Sequence, residues 1–121
     1  MSDTIWAAEH HKDFLKEWAI VAGNIHAWAR SKGFWPEGED RNDGEMLALM
    51  HSELSECLEG LRHGNPPDDM VPEFTSAEVE LADLVIRLMD TCVARGWRVS
   101  DAILAKMAYN EGRPHKHGKQ F

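Results

Sequence analysis

Apolar positions along the chain recur at steps of three and four in four separate stretches, and nowhere alternate for long enough to make a convincing strand. In the first stretch Phe14, Trp18, Val21/Ala22, Ile25 and Trp28/Ala29 mark an amphipathic helix, with Gly33 as its stop. The loop "FWPEGEDRN" follows, because Pro36 and Gly38 interrupt both periods. A second helix is expected to start near Asn42 or Asp43, with Glu45 three residues after Asn42 in a capping-box arrangement. Leu47, Met50, Leu54, Leu58 and Leu61 form its predicted buried stripe, and Gly64 ends it. The proline-rich "GNPPDDMVPEF" can be neither helix nor central strand. A third helix opens on the capping box Thr75 to Glu78 and runs to Gly96. A fourth starts at Ser100 and fades near Gly112, with Pro114 preventing simple continuation into the tail "RPHKHGKQF".

The third helix is the unusual one. Val79, Ala82, Ile86, Met89 and Val93 line one side of it, and Leu81, Val85, Leu88 and Cys92 line another, with Leu84 beyond them. Only the wedge Glu80, Asp83, Arg87 and Asp90 is polar. A helix apolar on most of its circumference must be covered on most of it. Three partner helices from a chain of 121 residues would struggle to do that. The expected architecture is therefore one all-α domain over residues 1–121, four-helix bundle-type, whose core is completed in a homo-oligomer, dimer or tetramer.

Composition narrows the function classes. A formal net charge of −8 argues against a nucleic-acid-binding surface. From Lys106 to the end, four Lys/Arg stand against one acid, so the acidic excess lies in the first 105 residues. An acidic body with a basic tail suits a site that takes a metal cation and an anionic ligand together. Cys57 and Cys92 fall inside helical patterns and read as free buried thiols. The opening "MSDTIWAAEHHKD" has no secretory pattern, and no apolar run reaches membrane-spanning length, so a cytoplasmic chain without a membrane partner is expected.

Against that background two carboxylate pairs stand out, Glu53 with Glu56 and Glu80 with Asp83, each three residues apart on a predicted helix. Residues at that spacing are neighbours on the helix surface. If the second and third helices pack antiparallel, the pairs can face each other. Four crowded carboxylates repel and are driven toward protonation unless a cation holds them. Oxygen-only ligands select a hard divalent ion, Mg²⁺ first and Mn²⁺ next. A di-iron bundle would need two Glu-x-x-His motifs, and none of the seven histidines lies three residues after a glutamate. Zinc lacks its tetrahedral set, because His10-His11 and His115-x-His117 have no cysteine partners nearby. Lys106, Asn110 and Arg113 fall on one face of the last helix.

Glu53-x-x-Glu56, then 23 residues, then Glu80-x-x-Asp83, together with "HSELSE", "ELADLVIRLMD" and "KMAYNEGRPHKHGK", resembles the MazG-like nucleoside triphosphate pyrophosphohydrolases of the all-α NTP pyrophosphatase superfamily. The likeness covers roughly residues 24–119. It implies hydrolysis between the α and β phosphates of a nucleotide, giving a monophosphate and pyrophosphate, and with it a house-cleaning role that clears non-canonical or surplus (deoxy)nucleotides. It also implies that Glu53, Glu56, Glu80 and Asp83 hold Mg²⁺, with Glu53 or Glu56 activating the attacking water. Lys106, Asn110 and Arg113 would contact phosphate, with Lys116 and Lys119 in reserve on the tail. Aromatic contact to the nucleobase falls to Trp35, with Phe34 beside it. Trp28 reads as core, and Trp6, Trp18 and Trp97 as structural. The proline-rich stretch 64–75 and the N-terminal extension 1–20 depart from the family pattern. The alternatives are a dUTP/dCTP- or phosphoribosyl-ATP-specific relative, or a non-catalytic helical interaction module.

Overall fold

The computed structural model describes residues 8–37 and 40–121. Trp6 and the first seven residues of the N-terminal extension lie outside them. Four helices form in chain order: α1 (Ala8–Ser31), α2 (Asp43–Arg62), α3 (Ser76–Arg95) and α4 (Val99–Glu111), with a short 3-10 turn at His115–Gly118. Among the described residues the only β pairing is an isolated bridge between Pro67 and Thr75. No described helix is long and apolar enough to cross a membrane.

Local chemistry sets the helix ends. Asn42 caps α2 by accepting the Glu45 amide at 3.0 Å, which satisfies one of the orphan donors of a helix start. At α3 the reciprocal box closes: the Glu78 amide donates to Thr75 Oγ1 at 3.3 Å, and the Thr75 amide donates to Glu78 Oε1 at 2.9 Å. Asn65 Oδ1 accepts the Ala77 amide at 2.9 Å, a further cap supplied from the loop. Gly96 ends α3 with φ +69°, a left-handed conformation that a side chain would oppose. The chain can then turn at once into α4.

α2 and α3 pack antiparallel. Asp43 meets Arg95 at one end, Glu53 meets Arg87 in the middle, and Cys57 meets Ala77 toward the other. Near the connecting loop the helices come very close. A Cβ built on Gly60 would stand 2.5 Å from Ser76 Oγ and 3.0 Å from Ser76 Cβ. α1 lies along α3, where His26 Nδ1 and Asp90 Oδ1 are 2.7 Å apart, and α4 packs against α1.

The buried apolar residues are Ala22, Ala29, Met46, Met50, Cys57, Met89 and Cys92. This corrects the expected stripe of α2. Only Met50 of that stripe is buried; Leu47, Leu54, Leu58 and Leu61 are 46–53% exposed, and Met46, Glu53 and Cys57 turn inward beside Met50. The two stripes are rotated by about 80° at the α-helical 100° per residue. Both are apolar enough to serve as a core, and contact with α3 selects one. α3 shows the same exchange. Its polar wedge faces the interior, with Asp90 buried, while Leu81, Val85, Ile86 and Val93 remain exposed. Cys57 and Cys92 are buried free thiols, and burial pushes the Cys92 thiol pKa up.

Candidate functional site

The antiparallel pairing of α2 and α3 brings three of the four carboxylates together. Ligand oxygens of Glu53, Glu80 and Asp83 lie within 4.8 Å of one another. Glu53 is 94% buried, being only 6% exposed, and the other two are half-buried. Glu56, one turn further along α2, is exposed and outside that trio. Its carboxyl is still near enough to interact with Glu80.

The electrostatics follow from the crowding. Burial pushes the Glu80 pKa up, and the adjacent carboxyls of Glu53 and Glu56 push it further, to about 7. Burial likewise raises Asp83, helped by the Glu53 charge and by Asp68, and opposed by Arg87. Burial also opposes ionisation of Glu53, but the Arg87 guanidinium outweighs it, together with hydrogen bonds shared with Glu80 and Glu56. Glu53 is therefore held below the usual carboxylate range, while Glu80 beside it is held above it.

One arginine organises the centre. Arg87 Nε donates to Glu53 Oε1 at 3.0 Å. Glu53 Oε2 is buried and has no hydrogen-bond partner among the described residues. A buried carboxylate oxygen without a donor is costly, and a cation would satisfy it. Two oxygens on one Mg²⁺ stand about 3–4 Å apart, so small side-chain rotations suffice to close the trio around an ion. The donor set is all oxygen, which suits Mg²⁺ or Mn²⁺. The residues fit the metal.

A cavity of about 210 Å³ opens from this cluster. Glu53, Asp83, Arg87 and Asp90 line it together with Trp28, Phe34 and Arg41. Phe34 stands in its wall. Trp35 stands behind the wall: its Nε1–H donates to both Asp90 oxygens at 2.9 Å, and its ring meets His26 edge-on at 5.5 Å. The reading of Trp28 as core is corrected. It is 50% exposed, lines the cavity and lies 5.9 Å from Phe34, ring centre to ring centre. Chain direction decides this: helix periodicity places Trp28 beside the buried Ala29, but the wide ring projects toward the gap between α1 and α3.

Arg41 carried no signal in the sequence beyond its charge. It enters the cavity because Arg95 clamps its loop, donating to Asp40 at 2.8 Å, to Asp43 at 2.7 Å and to the Arg41 carbonyl. The Arg41 guanidinium lies 5.0 Å above the Trp35 ring and has no carboxylate partner among the described residues. Asp68, in the proline-rich loop, was equally silent; its Oδ2 accepts the amides of Met70 and Val71 at 2.9 Å.

The cations of the C-terminal segment stand apart. Lys106, Asn110, Arg113, Lys116 and Lys119 do not line the cavity within one chain. Lys106 and Arg113 instead flank the Tyr109 ring at 4.9 and 5.6 Å. Asn110 is half-buried, with its Oδ1 lacking a partner among the described residues. Comparison with protein families, curated proteins and solved structures finds no match to this chain.

Proposed function

We propose that this protein is a Mg²⁺-dependent nucleotide pyrophosphohydrolase that works as a homo-oligomer, cleaving a (deoxy)nucleoside triphosphate to the monophosphate and pyrophosphate. The observation that carries the proposal is the buried, Arg87-held Glu53 meeting Glu80 and Asp83 at the end of a cavity walled by Trp28, Phe34 and Arg41. It joins a cation-binding end to an aromatic end, the two chemistries a nucleotide presents. The sequence resemblance to MazG-like enzymes supports the same reaction.

Glu53, Glu80 and Asp83 would hold the metal. When bound, Mg²⁺ supplies charge neutralisation for phosphate oxygens and a lowered pKa for the attacking water. Glu53, fixed by Arg87, is committed to binding. Glu56 is exposed beside the cluster and is the better placed of the two glutamates to take a proton from water. Oxygen from that water bonds to the α-phosphorus as the bond to the bridging oxygen breaks, and pyrophosphate leaves. Trp28 and Phe34 offer flat faces for the base. Arg41 adds a positive charge inside the cavity wall. Lys106, Asn110, Arg113, Lys116 and Lys119 form a second basic group for the leaving pyrophosphate, reached by assembly or by folding of the tail over the ligand.

Pyrophosphate release from a panel of nucleoside triphosphates, with Mg²⁺ and with EDTA, tests the proposal. Release is expected only with the metal. The Asp83→Asn variant is expected to fold and to lose about a hundredfold or more in kcat/KM. No release from any nucleotide, or near-normal turnover in Asp83→Asn, would defeat the assignment.

A further inference from the structure

The two arginines of α3 bond to carboxylates in different ways. Arg95 commits all three guanidinium nitrogens to the chain: Nε to Asp43, Nη1 to Asp40 and Nη2 to the Arg41 carbonyl. That pattern belongs to a structural clamp. Arg87 engages only Nε, on Glu53 Oε1 at 3.0 Å. Its Nη1 and Nη2 have no acceptor among the described residues, and the side chain lines the cavity while remaining 35% exposed.

The Arg87–Glu53 pair is only half closed. A guanidinium that meets a carboxylate as a fork donates twice, once to each oxygen. Here one bond forms, and Glu53 Oε2 is buried without a donor among the described residues. Two complementary ends are left open: a carboxylate oxygen that suits a cation, and outer N–H groups that suit an anion. Position along α3 says which anion. Arg87 follows Asp83 by four residues, about 6 Å along the same face of the helix. Asp90 follows Asp83 at roughly 10 Å; it holds Trp35, and the Arg41 guanidinium lies over that ring. Arg87 thus stands between the carboxylates and the end of the cavity where Trp35, Phe34 and Arg41 gather. Lys106, Arg113, Lys116 and Lys119 do not line the cavity.

We infer that the Nη groups of Arg87 grip the phosphate nearest the sugar, the α-phosphate, while Nε keeps its hold on Glu53. The inference rests on the nucleotide reading above and adds a substrate-binding residue to it. In a nucleotide laid from the carboxylates toward the aromatic wall, the phosphate between metal and base is the α-phosphate. The leaving pyrophosphate then points away from Phe34. A guanidinium matches two non-bridging phosphate oxygens with two parallel N–H bonds, which an ammonium cannot do. Arg87 stays charged throughout, so it holds the phosphate as the bond to pyrophosphate breaks and takes no proton. The monophosphate product keeps the same phosphate, so Arg87 holds the product too. Metal and nucleotide feel the guanidinium with opposite signs: it repels a cation at Glu53 Oε2 and attracts the phosphate.

Calorimetry on the full chain tests this without turnover. The wild type, with Mg²⁺ in excess, is titrated with a panel of ribo- and deoxynucleoside 5′-monophosphates, and the tightest binder is carried to the variants. Arg87→Gln is expected to weaken that binder by about tenfold to a hundredfold, the worth of hydrogen bonds to a charged group. Its affinity for Mg²⁺ alone is expected to stay level or to rise, because a repelling charge is gone. A residue that merely held Glu53 in place would give the reverse, a lower Mg²⁺ affinity. Should Arg87→Gln fail to fold, Arg87→Lys keeps a charge beside Glu53 but loses the fork, and is expected to weaken the monophosphate by about tenfold. Unchanged monophosphate affinity in a folded variant overturns the inference, as does a fall in Mg²⁺ affinity that accounts for the whole loss. A wild type that releases pyrophosphate yet binds no monophosphate overturns it as well. The nucleotide reading is scored separately. A wild type that neither binds a monophosphate nor releases pyrophosphate defeats that reading and this inference with it, whereas one that does both, with variants unchanged, defeats the Arg87 assignment alone.

Discussion

Arg87 on α3 donates from Nε to Glu53 Oε1 on α2 at 3.0 Å, and this is the bond that ties the buried carboxylate to the neighbouring helix. It keeps Glu53 ionised against its burial. It also leaves the other oxygen of the same carboxylate without a donor among the described residues. One residue thereby both ties the two helices together and leaves a buried carboxylate oxygen free to take a cation.

Replacing Arg87 by Met is expected to destabilise the metal-free chain by roughly 1–3 kcal/mol, the cost of stranding a buried charged acceptor. The full penalty of a dry ion pair does not apply, because the Arg87 side chain is 35% exposed. Urea unfolding measures it. Adding Glu53→Gln to Arg87→Met is expected to recover part of the loss, since the stranded charge is then gone.

Glu80 makes the metal-free chain sensitive to pH. Its folded pKa is about 7, above the ordinary 4.5. A carboxyl raised on folding contributes stability that is complete below the unfolded value and is lost as pH rises through the folded one. Melting temperature without metal should therefore fall between pH 5 and pH 8 through this group, and Mg²⁺ should restore most of it at the upper end. Protons and metal compete for the same oxygens, so Mg²⁺ affinity by calorimetry should rise over the same interval. Glu80→Gln is expected to flatten the metal-free profile; an unchanged profile would remove Glu80 as its source.

Gly60 separates two opposed effects cleanly. Alanine is favoured over glycine in a helix interior by about 1 kcal/mol. Here the new Cβ would meet Ser76 at 2.5 and 3.0 Å, and forcing atoms into a packed contact costs typically 1–3 kcal/mol. Gly60→Ala is expected to be destabilising on balance, and Ser76→Gly is expected to rescue it. A stabilised Gly60→Ala in thermal unfolding would show that the helices separate easily at this end.

Local signals in the chain were legible without coordinates. Asn42 with Glu45, Thr75 with Glu78, and Gly96 act within a few residues of themselves, and each stands where its chemistry requires. The convergence of Glu53, Glu80 and Asp83 was legible too, because helical spacing and one antiparallel pairing are enough to produce it. Other features escaped for a shared reason. Leu47, Leu54, Leu58 and Leu61 outrank Met46 and Cys57 in hydropathy, yet the methionine–cysteine side packs on α3. Trp28 and Trp35 exchange their expected surroundings because the Asp90 hydrogen bond draws Trp35 inward. Arg41 reaches the cavity only through Arg95, more than fifty residues away in the chain.

By itself the amino-acid order determined the four helices, their caps, and the periodic placement of acids on α2 and α3, since each depends on interactions spanning one or two turns. Only the tertiary structure decided which apolar face became core, which aromatic ring met the cavity, and which arginine held Glu53. Those outcomes depend on what lies across the interface, and a helix that is apolar on two sides carries no internal preference between them.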